Sequence, residues 1–275
     1  MRKTIRLGYD PREWQRRCHL ERRRFTVLAL HRRAGKTELA LMELLHRAVK
    51  CTSDLGFFVY VAPFLKQAKA IAWARLKQRI DPFIRTGTVD VNEADLAVTF
   101  KHNKATIRLF GGDNPDALRG VRLDGCVIDE VAQIKPEVWE AIIQPALSDR
   151  RGWALFIGTP AGINMFSELY YRAASGSLED WYAAKYTVYD TDALAPDEDL
   201  MLLEHAFQSS TPAGSLNVAS YLRWHLEQDG RVGVARIGGA DDTEGRGVRR
   251  ASPFAISSPM TEPAIGPKMV MIDHE

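Results

Sequence analysis

"FTVLALHRRAGKTELALMELLHRAVK", residues 25–50, decides how the rest of the chain is read. Its first six residues form a short apolar run of the kind buried on both faces of a parallel sheet. From Lys36 to Lys50 the apolar side chains recur at helical spacing. Between strand and helix lies a Gly-Lys-Thr ending. Such an ending belongs to loops whose backbone N–H groups, at a helix N-terminus, cradle phosphate oxygens. Lys36 would reach the β- and γ-phosphates and Thr37 would bind Mg²⁺, with the backbone of Arg33, Ala34 and Gly35 lining the cradle. Two features depart from the usual pattern: Leu30 stands where the loop's opening glycine is expected, and the Arg32-Arg33 pair fills its middle. A bare GKT tripeptide is common by chance, so the reading needs a partner elsewhere.

"GCVIDE", residues 125–130, supplies it. A nucleotide hydrolase of this type needs one carboxylate at a neighbouring strand end for the metal and a second to orient the attacking water. Asp129 suits the first role and Glu130 the second; the bland alternative is that both merely end a strand. The order of the two motifs, each after a buried strand, favours ATP with Mg²⁺ as the ligand. An arginine beside a phosphate-binding lysine can stabilise charge developing on the γ-phosphoryl group, so Arg32 or Arg33 is a candidate finger supplied in cis. Exposure to solvent, or pairing with acids, is the competing reading for each.

Working outward, "GFFVYVAP" (56–63) reads as a buried strand followed by a helix over 64–80. "LAVTFKHNKATIRLF" (96–110) reads as a hairpin about His102-Asn103, "PEVWEAIIQPAL" (136–147) as a helix and "WALFIGTP" (153–160) as a further strand. Alternating strands and helices with continuous apolar strands predict an α/β fold, a mostly parallel central sheet flanked by helices. The character changes after residue 207. "QSSTPAGS" is linker-like, "VASYLRWHLEQDG" suits one helix, and Gly, Pro, Ser and Arg dominate from Gly230 onward. The expectation is one domain over 1–207 and an irregular, disordered or truncated extension over 208–275.

Hydrophobic content of 45% and charged content of 26% are those of a globular protein. No apolar run approaches the roughly 18 residues of a membrane span, so no membrane partner is expected. Cys18, Cys51 and Cys126 show no paired spacing and read as reduced, Cys126 as core. The seven histidines show no metal-ligand spacing; His31, inside the loop, reads as shaping backbone rather than catalytic. Trp14, Trp73, Trp139 and Trp153 fall at apolar positions and read as core. Net charge is only +2, yet residues 1–36 hold twelve Lys/Arg against Asp10, Glu13 and Glu21. That excess fits a polyanion or a solvated basic face equally well.

"VLALHRRAGKT" together with "VRLDGCVIDEVAQI" resembles the variant phosphate-binding loop and metal-binding strand of phage terminase large subunits, the ATPases that pump viral DNA into procapsids. That family keeps an arginine at the position of Arg32 and dispenses with the leading glycine. "YDPREWQ" resembles its adenine-contacting segment, which makes Gln15 the candidate reader of the base with Tyr9 and Pro11 alongside. "VAPFLKQAKAIAW" and "GGDNPDALRGVRLDG" follow in the family's order, and "ALFIGTPAGINMFSELY" resembles its coupling motif, with Thr159 as coupling residue. The resemblance covers about residues 8–205. It implies a P-loop NTPase of the RecA-like (ASCE) class and ATP hydrolysis that packages double-stranded DNA. It also implies a portal protein and a small terminase subunit as partners, a homo-oligomeric ring, and the host bacterium's cytoplasm as location.

The match ends where the family's nuclease half would begin. Two-metal DNA cleavage needs carboxylates converging from several strands. After Phe207 only Asp241, Asp242, Glu244 and Asp273 stand near one strand-like run, "MVMID". No nuclease activity is expected from this chain. Lys66 and Lys69 are candidates for DNA backbone contact, against a solvated helix face. Arg119 is a candidate nucleotide or neighbouring-subunit sensor, against pairing with Asp116 or Asp124. Two other readings remain open: a lone helicase-like translocase, and a non-catalytic prophage remnant that binds nucleotide.

Overall fold

The structure, a computed structural model, describes residues 7–191. The boundary placed at residue 207, the helix read over 218–230, and the acids Asp241, Asp242, Glu244 and Asp273 lie outside the described residues.

Eight strands form one sheet in the order β3-β4-β5-β2-β6-β7-β1-β8. They are β1 (Phe25–Leu30), β2 (Phe57–Ala62), β3 (Val89–Asn92), β4 (Ala97–Phe100), β5 (Thr106–Gly111), β6 (Gly125–Asp129), β7 (Trp153–Gly158) and β8 (Trp181–Tyr186). The six strands from β5 to β8 in that order are parallel, and β3 and β4 add an antiparallel edge. The sheet is thus α/β and mostly parallel, as the apolar runs predict.

Successive residues of a strand face opposite sides, and here both sides are apolar. Leu28 and Leu30 of β1 join one core, while Phe25, Val27 and Ala29 join the other. The first core holds α1 (Glu13–Glu21), α2 (Lys36–Val49) and the helix α3 over residues 65–85. Across the sheet lie α4, over residues 138–148, and α5 (Met165–Ala174). Trp14, Trp73, Trp139 and Trp153 are all buried, as is Cys126.

Two helices depart from the expected outline. α3 begins with an α-turn, passes through a π-helical stretch at Lys69–Trp73 and continues to Arg85, past the predicted end at residue 80. Pro82 does not stop it because the ring falls in the final turn, where only one backbone bond is forfeited. α4 likewise opens with a π-helical stretch, Val138–Ile143, ahead of Pro145. No helix among the described residues is long and apolar enough to cross a membrane.

Candidate functional site

β7 lies between β1 and β6, with Ala29 opposite Gly158 and Asp129 opposite Ile157. The carboxyl ends of three strands therefore emerge side by side, each followed by residues singled out above: the loop to Lys36, Thr159, and Glu130. Ligands of open parallel sheets bind beyond such strand ends.

The loop is built around one glycine. Gly35 takes φ 97°, a left-handed conformation that suits glycine, and forms the N-cap of α2. No side chain caps that helix start, so its first N–H groups are left for an anion. Two residues of the preceding segment hold the loop from behind. Arg12 Nη1 donates to the carbonyl of Ala34 at 3.2 Å, and Gln15 Nε2 donates to that of Gly35 at 3.2 Å. Gln15 is buried and its Oε1 accepts from the Arg12 backbone at 2.9 Å, so both ends of the amide are engaged. Arg12 was not legible in the sequence, because its contact spans 22 residues.

Lys36 is the centre of the site. Its Nζ lies 2.9 Å from Glu130 Oε1 and donates to Thr159 Oγ1 at 2.9 Å, and the residue is buried to 8% exposure. Asp129 stands beside this pair with both oxygens engaged. Tyr60 of β2 donates its phenol to Oδ2, and the Glu130 backbone donates to Oδ1 at 2.9 Å. Burial raises the Asp129 pKa above the usual carboxylate range; Glu130's charge adds to the rise, while the Tyr60 hydrogen bond and Lys36 oppose it. Tyr60 is pushed well above its ordinary value, first by burial and then by Asp129. Tyr60 was missed in the sequence: a hydroxyl near the end of an otherwise apolar strand beside β6 was the available signal.

Glu130 occupies φ 49°, ψ 48°, and Arg33 φ 64°. Non-glycine residues pay about 1 kcal/mol or more for left-handed backbone, and such strain gathers at functional sites. Among the described residues no three His, Cys, Asp or Glu side chains gather as a metal centre of their own. The donor set of Asp129 and Thr37 fits a hard cation that shares its remaining positions with phosphate oxygens and water.

The other sequence candidates separate clearly. Arg32 and Arg33 are exposed, and no ion pair holds either among the described residues. Tyr9 bonds His19 at 3.0 Å through its phenol, packed edge-on against that ring. Arg119 pairs with Asp116 at 2.5 Å, both exposed, whereas Asp124 pairs with Arg150 at 2.8 Å. Lys66 and Lys69 are exposed on α3. His31 is buried and bonded to Thr191 at 2.7 Å, in keeping with a shaping role.

No family model matches the chain. It is 31% identical over 189 residues to a terminase large subunit of Thermus phage G20c, across 63% of this chain and 39% of that protein. The chain thus spans about two fifths of the length of the curated relative it matches. The large terminase ATPase domain of Thermus phage P74-26 superposes with a TM-score of 0.61 at 24% identity, over 78% of this chain and 93% of that domain. The large terminase of another thermophilic bacteriophage, in complex with ATP-γ-S, gives 0.53 at 21% identity, over 66% of this chain and 43% of that one. The motif-based resemblance therefore stands: this chain is a relative of the phage terminase large subunits and carries the fold of their ATPase domains.

Proposed function

We propose that this chain binds ATP with Mg²⁺ at the strand ends and hydrolyses it, and that the hydrolysis drives double-stranded viral DNA into a procapsid. The observation that carries the reading is the single ammonium of Lys36 holding Glu130 and Thr159 at 2.9 Å each, beside Asp129. The ATP-γ-S in the thermophilic phage terminase supports the same ligand. Portal protein, small terminase subunit and a ring of like subunits are the partners implied by the relatives.

Each residue then has a role. The N–H groups of the loop from Arg33 to Thr37, held from behind by Arg12 and Gln15, cradle the phosphates. Gln15 reads the base with the N–H it has left. Asp129 and Thr37 would hold Mg²⁺, which neutralises phosphate charge when bound. Lys36 is claimed by Glu130 until a γ-phosphate competes for its ammonium. Substrate therefore releases the base it requires, and Glu130 is free to orient water only when there is phosphate to attack. The same exchange changes the partner of Thr159, which gives the coupling residue a physical signal. Arg32 or Arg33, exposed and held by no ion pair among the described residues, stabilises charge on the transferring phosphoryl group.

The test is steady-state ATP hydrolysis by the full chain and Glu130→Gln, with and without duplex DNA. Turnover should fall by about 10²-fold or more in the variant with nucleotide affinity retained. Equal turnover in the two proteins would sink the assignment of the base. Stimulation by duplex DNA would support the motor reading, and its absence would count against it.

A further inference from the structure

The opposite edge of the sheet, where the parallel strands begin, carries a second constellation that hydrolysis does not use. α2 runs away from the phosphate loop and ends there, bringing Arg47 and Lys50 beside the entry to β1 at Arg22 and the entry to β7 at Arg150. These four residues line one groove with Trp153 and Ser53. Beneath it, the Glu43 carboxylate is almost completely buried. Its Oε1 accepts from Arg47 Nε at 2.6 Å and forms an ion pair with Arg22, and its Oε2 meets His19 Nδ1 at 2.9 Å.

The form of these pairs matters more than their number. Arg47 donates its Nε to Glu43 and Arg22 ion-pairs with the same oxygen, and no described residue accepts from the terminal nitrogens of either guanidinium. Arg47 is fixed further by lying 4.4 Å from the centroid of the Trp153 ring. Two guanidinium groups are thus immobilised with their outer donors unspent, the arrangement that receives phosphate oxygens at little entropic cost. Glu43 offsets only one of the two charges. Asp124 offsets that of Arg150 at 2.8 Å, and Lys50 is exposed with no ion pair among the described residues, so the groove is net positive. Its aromatic lining is engaged, Trp153 with both Arg47 and Phe58, which leaves no evident platform for a stacked base. Phosphate chemistry without a base site describes a nucleic-acid backbone rather than a nucleotide.

We propose that the groove lined by Arg22, Arg47, Lys50, Ser53 and Arg150 holds the phosphodiester backbone of duplex DNA, on the edge of the domain away from the phosphate loop. The choice of duplex DNA rests on the packaging reading; the phosphate site itself does not.

Anisotropy of a fluorescein-labelled duplex of mixed sequence, titrated with the full chain across a salt series without nucleotide, tests it. Lys50→Glu/Ser53→Glu reverses the charge at one exposed position, adds a negative charge at another, and spares the buried pairs. It should weaken binding about tenfold at low salt and lower the salt slope by about one to two. Its melting temperature and its affinity for ATP-γ-S should match wild type, which separates this result from misfolding. Glu130→Gln should bind the duplex as wild type does, so loss of hydrolysis cannot pass for loss of the groove. Unchanged affinity of the Lys50→Glu/Ser53→Glu protein overturns the proposal, most directly if Lys66→Glu/Lys69→Glu abolishes binding instead. Saturable pyrophosphate binding that needs Lys50, at constant ionic strength and with no duplex binding, would make the groove a small-anion site and overturn it equally.

Discussion

Two carboxylates on the same face of the sheet, Glu43 buried and Asp129 half-buried, are treated in opposite ways. Glu43, between α1 and α2, is surrounded by His19, Arg22 and Arg47. Burial alone would raise its pKa, but the His19 hydrogen bond and the charges of Arg47 and Arg22 outweigh it and bring the value down to about 2. Asp129, at the end of β6, has a phenol and one backbone N–H instead, and its pKa is raised by burial. One carboxylate is saturated by cations and the other is left short of them. A saturated buried charge fixes helices in place, whereas an under-compensated one at a strand end is poised to accept a cation from outside. The contrast predicts which substitutions cost activity and which cost stability.

The largest expected effect is on activity. Lys36→Ala removes the shared partner of Glu130 and Thr159 and should lower ATP turnover by about 10²–10³-fold. Urea midpoints measured alongside should move little. Glu43→Gln should do the reverse. Breaking a buried pair leaves charges uncompensated and costs about 3 kcal/mol, read by urea unfolding, while turnover per folded molecule changes little. Equal losses of turnover in both variants would break the comparison.

The Glu43 effect carries a sign in pH. Its folded-state pKa of about 2 lies below the ordinary 4.5, so its stabilisation is full above pH 4.5 and is lost as pH falls toward 2. Unfolding midpoints collected from pH 5 downward should fall more steeply for wild type than for Glu43→Gln. Parallel curves would show that His19, Arg22 and Arg47 do not govern this carboxylate.

Much of this division was readable beforehand, and the remainder has physical causes. β1, β2, β6 and β7 announce themselves because strands covered on both faces must be apolar throughout. β3 and β8 do not: they are the sheet's two outer strands, β3 is short with alternate residues exposed, and β8 is half-buried along most of its length. Lys36, Thr37, Asp129 and Glu130 were legible because motif spacing reports chemistry directly. Thr159 required the family resemblance, since a threonine after a strand is unremarkable by itself. Tyr60 and Arg12 act across 69 and 22 residues, and nothing local marks which strand residue reaches a neighbour's end.

Tyr60 offers an intermediate test. Tyr60→Phe keeps the ring and removes the donor that orients Asp129 Oδ2. Losing a hydrogen bond to a charged group costs about 1.5–3 kcal/mol, here divided between folding and cation binding. The Mg²⁺ concentration that half-saturates ATP-γ-S binding should rise several-fold, while nucleotide affinity in EDTA stays unchanged. A purely structural phenol would lower the melting temperature and leave the Mg²⁺ titration where it was.

The smallest effect sharpens the comparison most, because it concerns stability at the site of function. Asp129→Asn keeps the acceptor for the Glu130 N–H, and the Tyr60 oxygen can accept from the new amide. Burial disfavours the ionised carboxylate, so that penalty is present above its raised pKa and absent once the group is protonated. Removing the charge should raise the melting temperature of the nucleotide-free protein near neutral pH by no more than about 4 °C. The advantage should shrink as the pH is lowered, opposite in sign to the Glu43 effect, and Mg²⁺-dependent hydrolysis should be lost. A melting temperature that falls would mean that Tyr60 and Lys36 already balance Asp129, and that the strand end is as saturated as the helix pair.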